Sequence, residues 1–251
     1  MERATRTGSA TTRRASAVAV LAFGVLWVGV GIGPTLVAGS SVAHTTRLAS
    51  SASTPTTAEA KADLLVIADF PAGWSKLKLT NPAAEADVDG RLAACLGVPA
   101  AVMEENPPTV DSPQFFSKGN DDYVNERITI FPSTEAASAK WAAISGPRAA
   151  TCWGTLAPVL RHQLVGSGGK GVTVGQPTVT AVDPAVYGPG TAGYTASVTV
   201  TIGKSETLEV SRSDVYVFKG RLGTQVEFGA VGAPFPPSLA GQLVGVAAGR
   251  L

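Results

Sequence analysis

The chain has 251 residues, a formal net charge of +1 and 16% charged residues, so its charge gives no support for nucleic-acid binding, which needs a basic stripe or patch. Its hydrophobic fraction of 45% is enough for a packed core, and a chain of this length forms one or two domains.

The first 43 residues have the order of a secretory signal. Four arginines between positions 3 and 14 precede an apolar run, 17–33, and the small residues Ser41-Val42-Ala43 follow. The apolar run is long for a signal peptide and short for a membrane span of roughly 20 residues. A cleaved signal peptide and a retained N-terminal membrane anchor are therefore both open. Positive charge stays on the cytoplasmic side, so either alternative predicts an extracytoplasmic body, secreted or anchored to the cell membrane.

Residues 44–60 are rich in Ser, Thr and Ala and contain almost no large apolar side chain. Such a segment cannot bury enough surface to offset the entropy lost on ordering. We interpret 44–60 as a linker. Because the composition does not break after it, we interpret 61–251 as a single α+β extracytoplasmic domain.

The first half of this domain predicts helices around a strand. Residues 83–96 contain good helix formers and are followed by Gly97 in the C-cap position. Alternating apolar and polar residues predict a strand over 123–131, typical of an antiparallel sheet. Ser133 is placed to cap a helix over 133–145. A further helix from about 148 to 164 contains Pro158, which should kink or split it.

The second half predicts a C-terminal antiparallel meander. After Gly171 the chain is rich in Val, Thr and aromatic residues, with glycine where tight hairpin turns would fall. A helix beginning at Pro236-Pro237-Ser238 closes the chain. Helices, then strands, then a helix indicate an α+β fold, which we expect to be an antiparallel sheet with helices packed on one face. The predicted strands are 172–182, 194–202, 207–218 and 221–228.

Cys95 and Cys152 are the only cysteines of the chain. Both lie in predicted helical segments, and an exported chain meets an oxidising environment in which a disulfide forms and persists. We therefore predict a Cys95–Cys152 bond that joins one helix to another.

Catalytic motifs are absent from the sequence. Gly166, Gly168 and Gly171 fit the spacing of a dinucleotide-binding loop, but a helix leads into them and a strand follows, the reverse of the order that the chemistry requires. His162 is the one available base for a serine nucleophile, and no nucleophile-elbow motif accompanies it. One usable histidine and two distant cysteines do not make a zinc site. We predict no catalytic residue, no cofactor and no metal.

A family resemblance follows from the order of segments along the chain. DFPAGW, a helix ending at Cys95, SPQFF, the strand VNERITIF, the helix STEAASAKW and Cys152 precede SRSDVYVFKGRLGTQVEF and a Leu-rich helix. This order resembles exported actinobacterial sensor-like domains, such as the extracellular domain of PknH-type kinases, and PsbP-like lipoproteins. The resemblance implies an antiparallel sheet with packed helices, a disulfide and a ligand-binding groove. The kinase domains carry two disulfides, whereas this chain has cysteines for one and has neither a kinase domain nor a lipobox.

The sequence thus favours an exported, non-catalytic ligand-binding or sensor-like domain at the cell envelope. Two alternatives remain open: an exported hydrolase with an unrecognised site, and a structural envelope protein. Few charges favour an apolar or neutral small molecule, lipid or envelope glycan as ligand. We predict Trp74, Phe116 and Tyr123 in the wall of a groove, because they flank an irregular segment, 99–113, that could cover it.

Overall fold

The computed structural model describes residues 55–77, 88–104, 107–119, 121–167, 171–203 and 206–251. The predicted signal or anchor, 1–43, lies outside these residues, as does most of the predicted linker. The described helices are α1 (Thr57–Asp63), α2 (Val88–Leu96), α3 (Ala100–Glu104), α4 (Thr134–Ser145), α5 (Ala149–Gly154), α6 (Ala157–Ser167), α7 (Pro184–Tyr187) and α8 (Pro237–Arg250), with a short 3-10 turn at Ile67–Asp69.

The strands form one antiparallel sheet in the order β1-β3-β4-β9-β8-β7-β5, with β2 also paired to β4 and β6 to β7. The predicted meander is its centre: β7, β8 and β9 follow one another in sequence and in space. The strands are β1 (Ser75–Leu77), β2 (Thr109–Asp111), β3 (Gln114–Phe116), β4 (Asp122–Ile130), β5 (Val172–Val174), β6 (Thr178–Ala181), β7 (Ala192–Ile202), β8 (Glu206–Lys219) and β9 (Leu222–Val231).

Local sequence signals explain where the helices begin and end. The Ser133 hydroxyl accepts from the main-chain N–H of Ala136 and caps α4, as predicted. The predicted helix over 148–164 is divided into α5 and α6, with the break just before Pro158.

The predicted linker ends in a helix. The Thr56 hydroxyl and the Glu59 carboxylate cap each other's main-chain N–H groups. This capping box starts α1 at Thr57, so residues 57–60 are helical, and Ala60 is fully buried.

The α+β class with an antiparallel sheet is confirmed, but helices lie against both faces of the sheet instead of one. Val215 and Val226 pack with Leu243 and Val244 of α8. Tyr216, the next residue of β8, points the opposite way and packs with the cluster of α2 to α5 that contains Cys152. We call these two faces the α8 side and the disulfide side. Residues on both faces of the central strands are mostly buried, and both faces are therefore covered.

No helix among the described residues is long and apolar enough to cross a membrane.

Candidate functional site

A row of polar side chains crosses the disulfide side of the sheet. Asn125 of β4 lies opposite Glu227 of β9, Glu227 opposite Asp214 of β8, and Asp214 opposite Tyr194 of β7. In β3, Phe115 pairs with Val124, and continuing this register by one residue places Gln114 beside Asn125. These five residues, which we call the polar row, are all buried and occupy five neighbouring strands. The row lies where a sheet core would ordinarily be apolar.

Arg212 neutralises part of the charge in this row. Its Nε and Nη2 atoms lie 2.8 and 2.9 Å from the two carboxylate oxygens of Asp214, which forms a bidentate pair. Nη2 is also 3.1 Å from Oε2 of Glu227. Burial lowers the pKa of Arg212, but the adjacent Asp214 carboxylate raises it, and the net pKa is above the usual value. Arg212 therefore remains a cation between two carboxyl groups.

Glu227 has a strongly perturbed ionisation. Burial raises the pKa of its carboxyl group to about 8, although Arg212 is in contact. One guanidinium faces two carboxyl groups here, and ionising both in a site this dry would leave an uncompensated charge. Protonation of Glu227 at neutral pH leaves the Arg212–Asp214 pair balanced. Its Oε1 atom also accepts from the Tyr123 hydroxyl.

Aromatic rings border the polar row at both ends. Phe116 lies 6.0 Å from Tyr123, centroid to centroid, one step along the strands from Gln114 and Asn125. At the other end Trp153 of α5 stacks on Tyr194 at 3.9 Å. Burial and the charge of Asp214 hold the pKa of Tyr194 well above its ordinary value, so its hydroxyl remains neutral.

Four buried side-chain atoms of the described residues have no hydrogen-bond partner, and all four lie on this side of the sheet. Buried polar groups are nearly always paired, so such atoms call for an explanation. Two are acceptors and two are donors. They are Oε1 of Gln114, Oδ1 of Asn125, Nη1 of Arg212 and Nε1 of Trp153.

A second buried polar group on the α8 side is fully paired and has a structural role. Glu126 accepts from the main-chain N–H of Leu65 at 2.6 Å and from the Thr224 hydroxyl at 2.7 Å. Burial raises the pKa of Glu126, although these hydrogen bonds oppose the shift. Nearby, Arg250 of α8 forms a bidentate pair with Asp69 at 2.7 and 2.8 Å. These contacts join the start of the domain, the sheet and the last helix.

The three predicted groove residues do not share one surface. Phe116 and Tyr123 are buried together on the disulfide side beside the polar row. Trp74 is half-buried on the α8 side, 4.9 Å from Phe70 and 6.1 Å from Phe235 between ring centroids. A ligand role for each residue remains a prediction.

The predicted disulfide is present. Cys95 of α2 and Cys152 of α5 are bonded, with their Cα atoms 5.5 Å apart. Arg148 adds a hydrogen bond of 2.6 Å to the main-chain oxygen of Cys95. The bond joins two of the helices that pack against Tyr194 at the β7 end of the polar row.

The residues considered for catalysis, His162 and the glycine-rich segment, lie outside the polar row. His162 is exposed on α6, and the glycine-rich segment after Ser167 leads from that helix into β5. In the described part of the chain, no group of three or more His, Cys, Asp or Glu side chains could hold a metal ion.

Arg212, Asp214, Asn125 and Glu227 were not predicted from the sequence as site residues. A signal was available, because Arg212 and Asp214 are two residues apart in the predicted strand and so share a face, and the other residues of that face are Leu208, Val210, Tyr216 and Phe218. Which other charged group they meet depends on the register between distant strands.

Comparison with known proteins assigns the chain to no family. No protein-family model matches it, and no curated protein does. Among solved structures, the crystal structure of the extracellular domain of PknH from Mycobacterium tuberculosis is similar at 14% identity and a TM-score of 0.28. The match covers 57% of this chain and 77% of that domain. A TM-score this low does not establish a common fold.

Proposed function

We propose that this chain is an exported, non-catalytic ligand-binding domain of the cell envelope, of the sensor-like kind. The polar row and its neighbours Arg212 and Trp153 support the proposal, because they bring unpaired donors and acceptors together on the side of the sheet against which the disulfide-bonded helices pack. An apolar layer of the same size would serve a purely structural protein better, since a buried polar atom without a partner costs about 1–3 kcal/mol.

Export is supported by two independent features. The arginine-rich leader and apolar run have the order of an export signal, and the Cys95–Cys152 bond is of a kind that persists outside the cytoplasm. Alkaline phosphatase fused after Leu251 should be active, because the enzyme matures only after export. Removing residues 1–43 should abolish that activity while the fusion still accumulates. An inactive full-length fusion that is stable in the cytoplasm would refute the location.

An exported hydrolase is the rival function, and one observation favours it: Asp214 and Glu227 are adjacent carboxyl groups in unlike environments, the arrangement used by acid–base pairs. However, both oxygens of each group are engaged. Arg212 and Gln225 occupy Asp214, while Tyr123 and Arg212 occupy Glu227. A substrate would have to displace these neighbours before either carboxyl group could exchange a proton with it.

The two functions differ in a direct assay. The purified protein is incubated with chromogenic ester, phosphate and glycoside substrates, and we expect no turnover above buffer. His162→Ala should leave ligand binding and the melting temperature unchanged, since His162 is exposed on α6. Hydrolysis that disappears in a folded Glu227→Gln or His162→Ala variant would establish the hydrolase instead.

A further inference from the structure

The four unpaired atoms determine which chemical groups a ligand of the polar row must carry. Oε1 of Gln114 and Oδ1 of Asn125 require donors, while Nη1 of Arg212 and Nε1 of Trp153 require acceptors. A complementary ligand therefore offers both kinds of group. Hydroxyl groups do so at every position, since each donates one hydrogen bond and accepts two.

Charge limits the ligand further. Arg212 is already paired with Asp214 and Glu227, so an anion would meet two carboxyl groups and a cation would meet the guanidinium. An entirely apolar ligand would leave all four atoms unpaired, and each would keep the cost of its lost hydration. An uncharged hydroxyl-rich ligand avoids both costs.

The row also determines the shape of the ligand. From β3 to β7 it crosses four strand spacings of about 4.8 Å, or about 19 Å in all. Aromatic pairs border it at the two ends, Phe116 with Tyr123 and Trp153 with Tyr194. Such rings pack against apolar ligand faces while a few polar groups fix orientation. Only an elongated ligand reaches from one end to the other.

The polar row is buried, and so are its neighbours Arg212 and Trp153. Arg212, Gln114, Asn125 and Trp153 retain 4%, 5%, 6% and 7% of their accessible surface, and Asp214 in the middle of the row retains none. Gly229, which lies in register between Tyr123 and Arg212, puts no side chain over the row. A ligand therefore reaches the unpaired atoms only if the groups that cover the row move aside.

We propose that the polar row binds an uncharged oligosaccharide across strands β3 to β7, an inference that rests on the binding function proposed above. The ring hydroxyls pair with the amides of Gln114 and Asn125, with Nη1 of Arg212 and with Nε1 of Trp153. The apolar faces of the sugar rings lie against the bordering aromatic rings.

Calorimetry on the exported, oxidised protein tests this inference with five probes. Three are uncharged trisaccharides: cellotriose, maltotriose and triacetylchitotriose. Trigalacturonate has the same size with negative charge, and palmitate is a long apolar chain with a single carboxylate. We expect at least one uncharged trisaccharide to bind at least tenfold more tightly than trigalacturonate and palmitate. Co-sedimentation with cellulose and chitin then shows whether a polymer is also bound or only the soluble sugars.

Two isosteric variants test the location. Asn125→Leu and Gln114→Met each remove an amide and should weaken sugar binding at least tenfold. Thr180→Val, on an exposed β6 position of the α8 side, is the control and should bind as the wild type does. If Asn125→Leu fails to fold, Gln114→Met decides alone. Unchanged sugar affinity in a folded variant would overturn the site.

The remaining outcomes separate this inference from the function on which it rests. Binding of palmitate without any sugar would overturn the oligosaccharide and leave the binding function in place. No binding of any probe would overturn the oligosaccharide. Ordered waters on all four atoms in a high-resolution structure would then overturn the binding function as well, since the row would be a hydrated structural core.

Discussion

Asp214 and Glu227 lie opposite each other on β8 and β9, and the guanidinium of Arg212 contacts both carboxyl groups. The pair is buried on the disulfide side of the sheet, where it forms the middle of the polar row. Two buried acids next to one buried base make the stability of the fold depend on pH and on each hydrogen bond in the row.

Glu227 should make the folded state less stable as pH rises. Below about pH 4.5 the group is protonated in both states. Between that pH and about 8 the unfolded chain releases the proton while the folded chain keeps it, so the free energy of unfolding falls, by a few kcal/mol as an order of magnitude. Urea titrations at several pH values measure this decline. Glu227→Gln should reduce it, while the exposed Glu209→Gln should retain it. The same slope in Glu227→Gln would show that another group titrates.

The same substitution should have opposite effects at Gln114 and Gln225. Gln114→Met removes an unpaired buried oxygen, so the free energy of unfolding should be unchanged or slightly higher. Gln225→Met removes a donor to Asp214 and should lower it by about 1–3 kcal/mol. Thermal unfolding of the two variants side by side measures the difference. Equal losses would mean that Gln114 has a partner which stabilises the fold.

Cys95 and Cys152 should yield no free thiol when the unreduced protein is denatured and titrated. The bond closes a loop of 57 residues, which in the chain-entropy model is worth about 4 kcal/mol. The double Ser variant should therefore unfold at a clearly lower temperature. Wild-type protein with added reductant should behave like that variant. Two free thiols in the unreduced protein would contradict the bond.

Gly193 should not tolerate a side chain. Its φ is +153°, and a Cβ atom there would overlap the main-chain oxygen of Asp214. Gly193→Ala should push β7 away from β8 and cost several kcal/mol or prevent folding. Gly245→Ala is the matched control, because nothing lies within 4 Å of its added Cβ in α8, and it should stabilise by about 0.5–1 kcal/mol. The yield and the melting temperature of the purified variants measure both effects. A Gly193→Ala variant as stable as the wild type would disprove the close contact.

Features that depend on nearby residues were predictable from the sequence. The Ser133 cap, the interruption before Pro158, the β7-β8-β9 meander and the α+β class follow from local spacing, turn residues and helix caps. The Cys95–Cys152 pairing was also predictable, because a chain with a predicted export signal and two cysteines offers only one bond within itself. The capping-box spacing of Thr56 and Glu59 is also a local signal. It could have revealed α1, although the composition around these residues suggested a linker.

Features that depend on register between distant strands needed the tertiary structure. Tyr123 and Glu227 are 104 positions apart in sequence, and nothing local indicates that their side chains meet. The polar row exists because β4, β9, β8 and β7 align at one level, and a shift of one residue would turn each polar side chain to the other face. Which helices cover which face is likewise a matter of packing between distant segments. The sequence therefore determines the elements and the disulfide, and the tertiary structure alone assembles the candidate site.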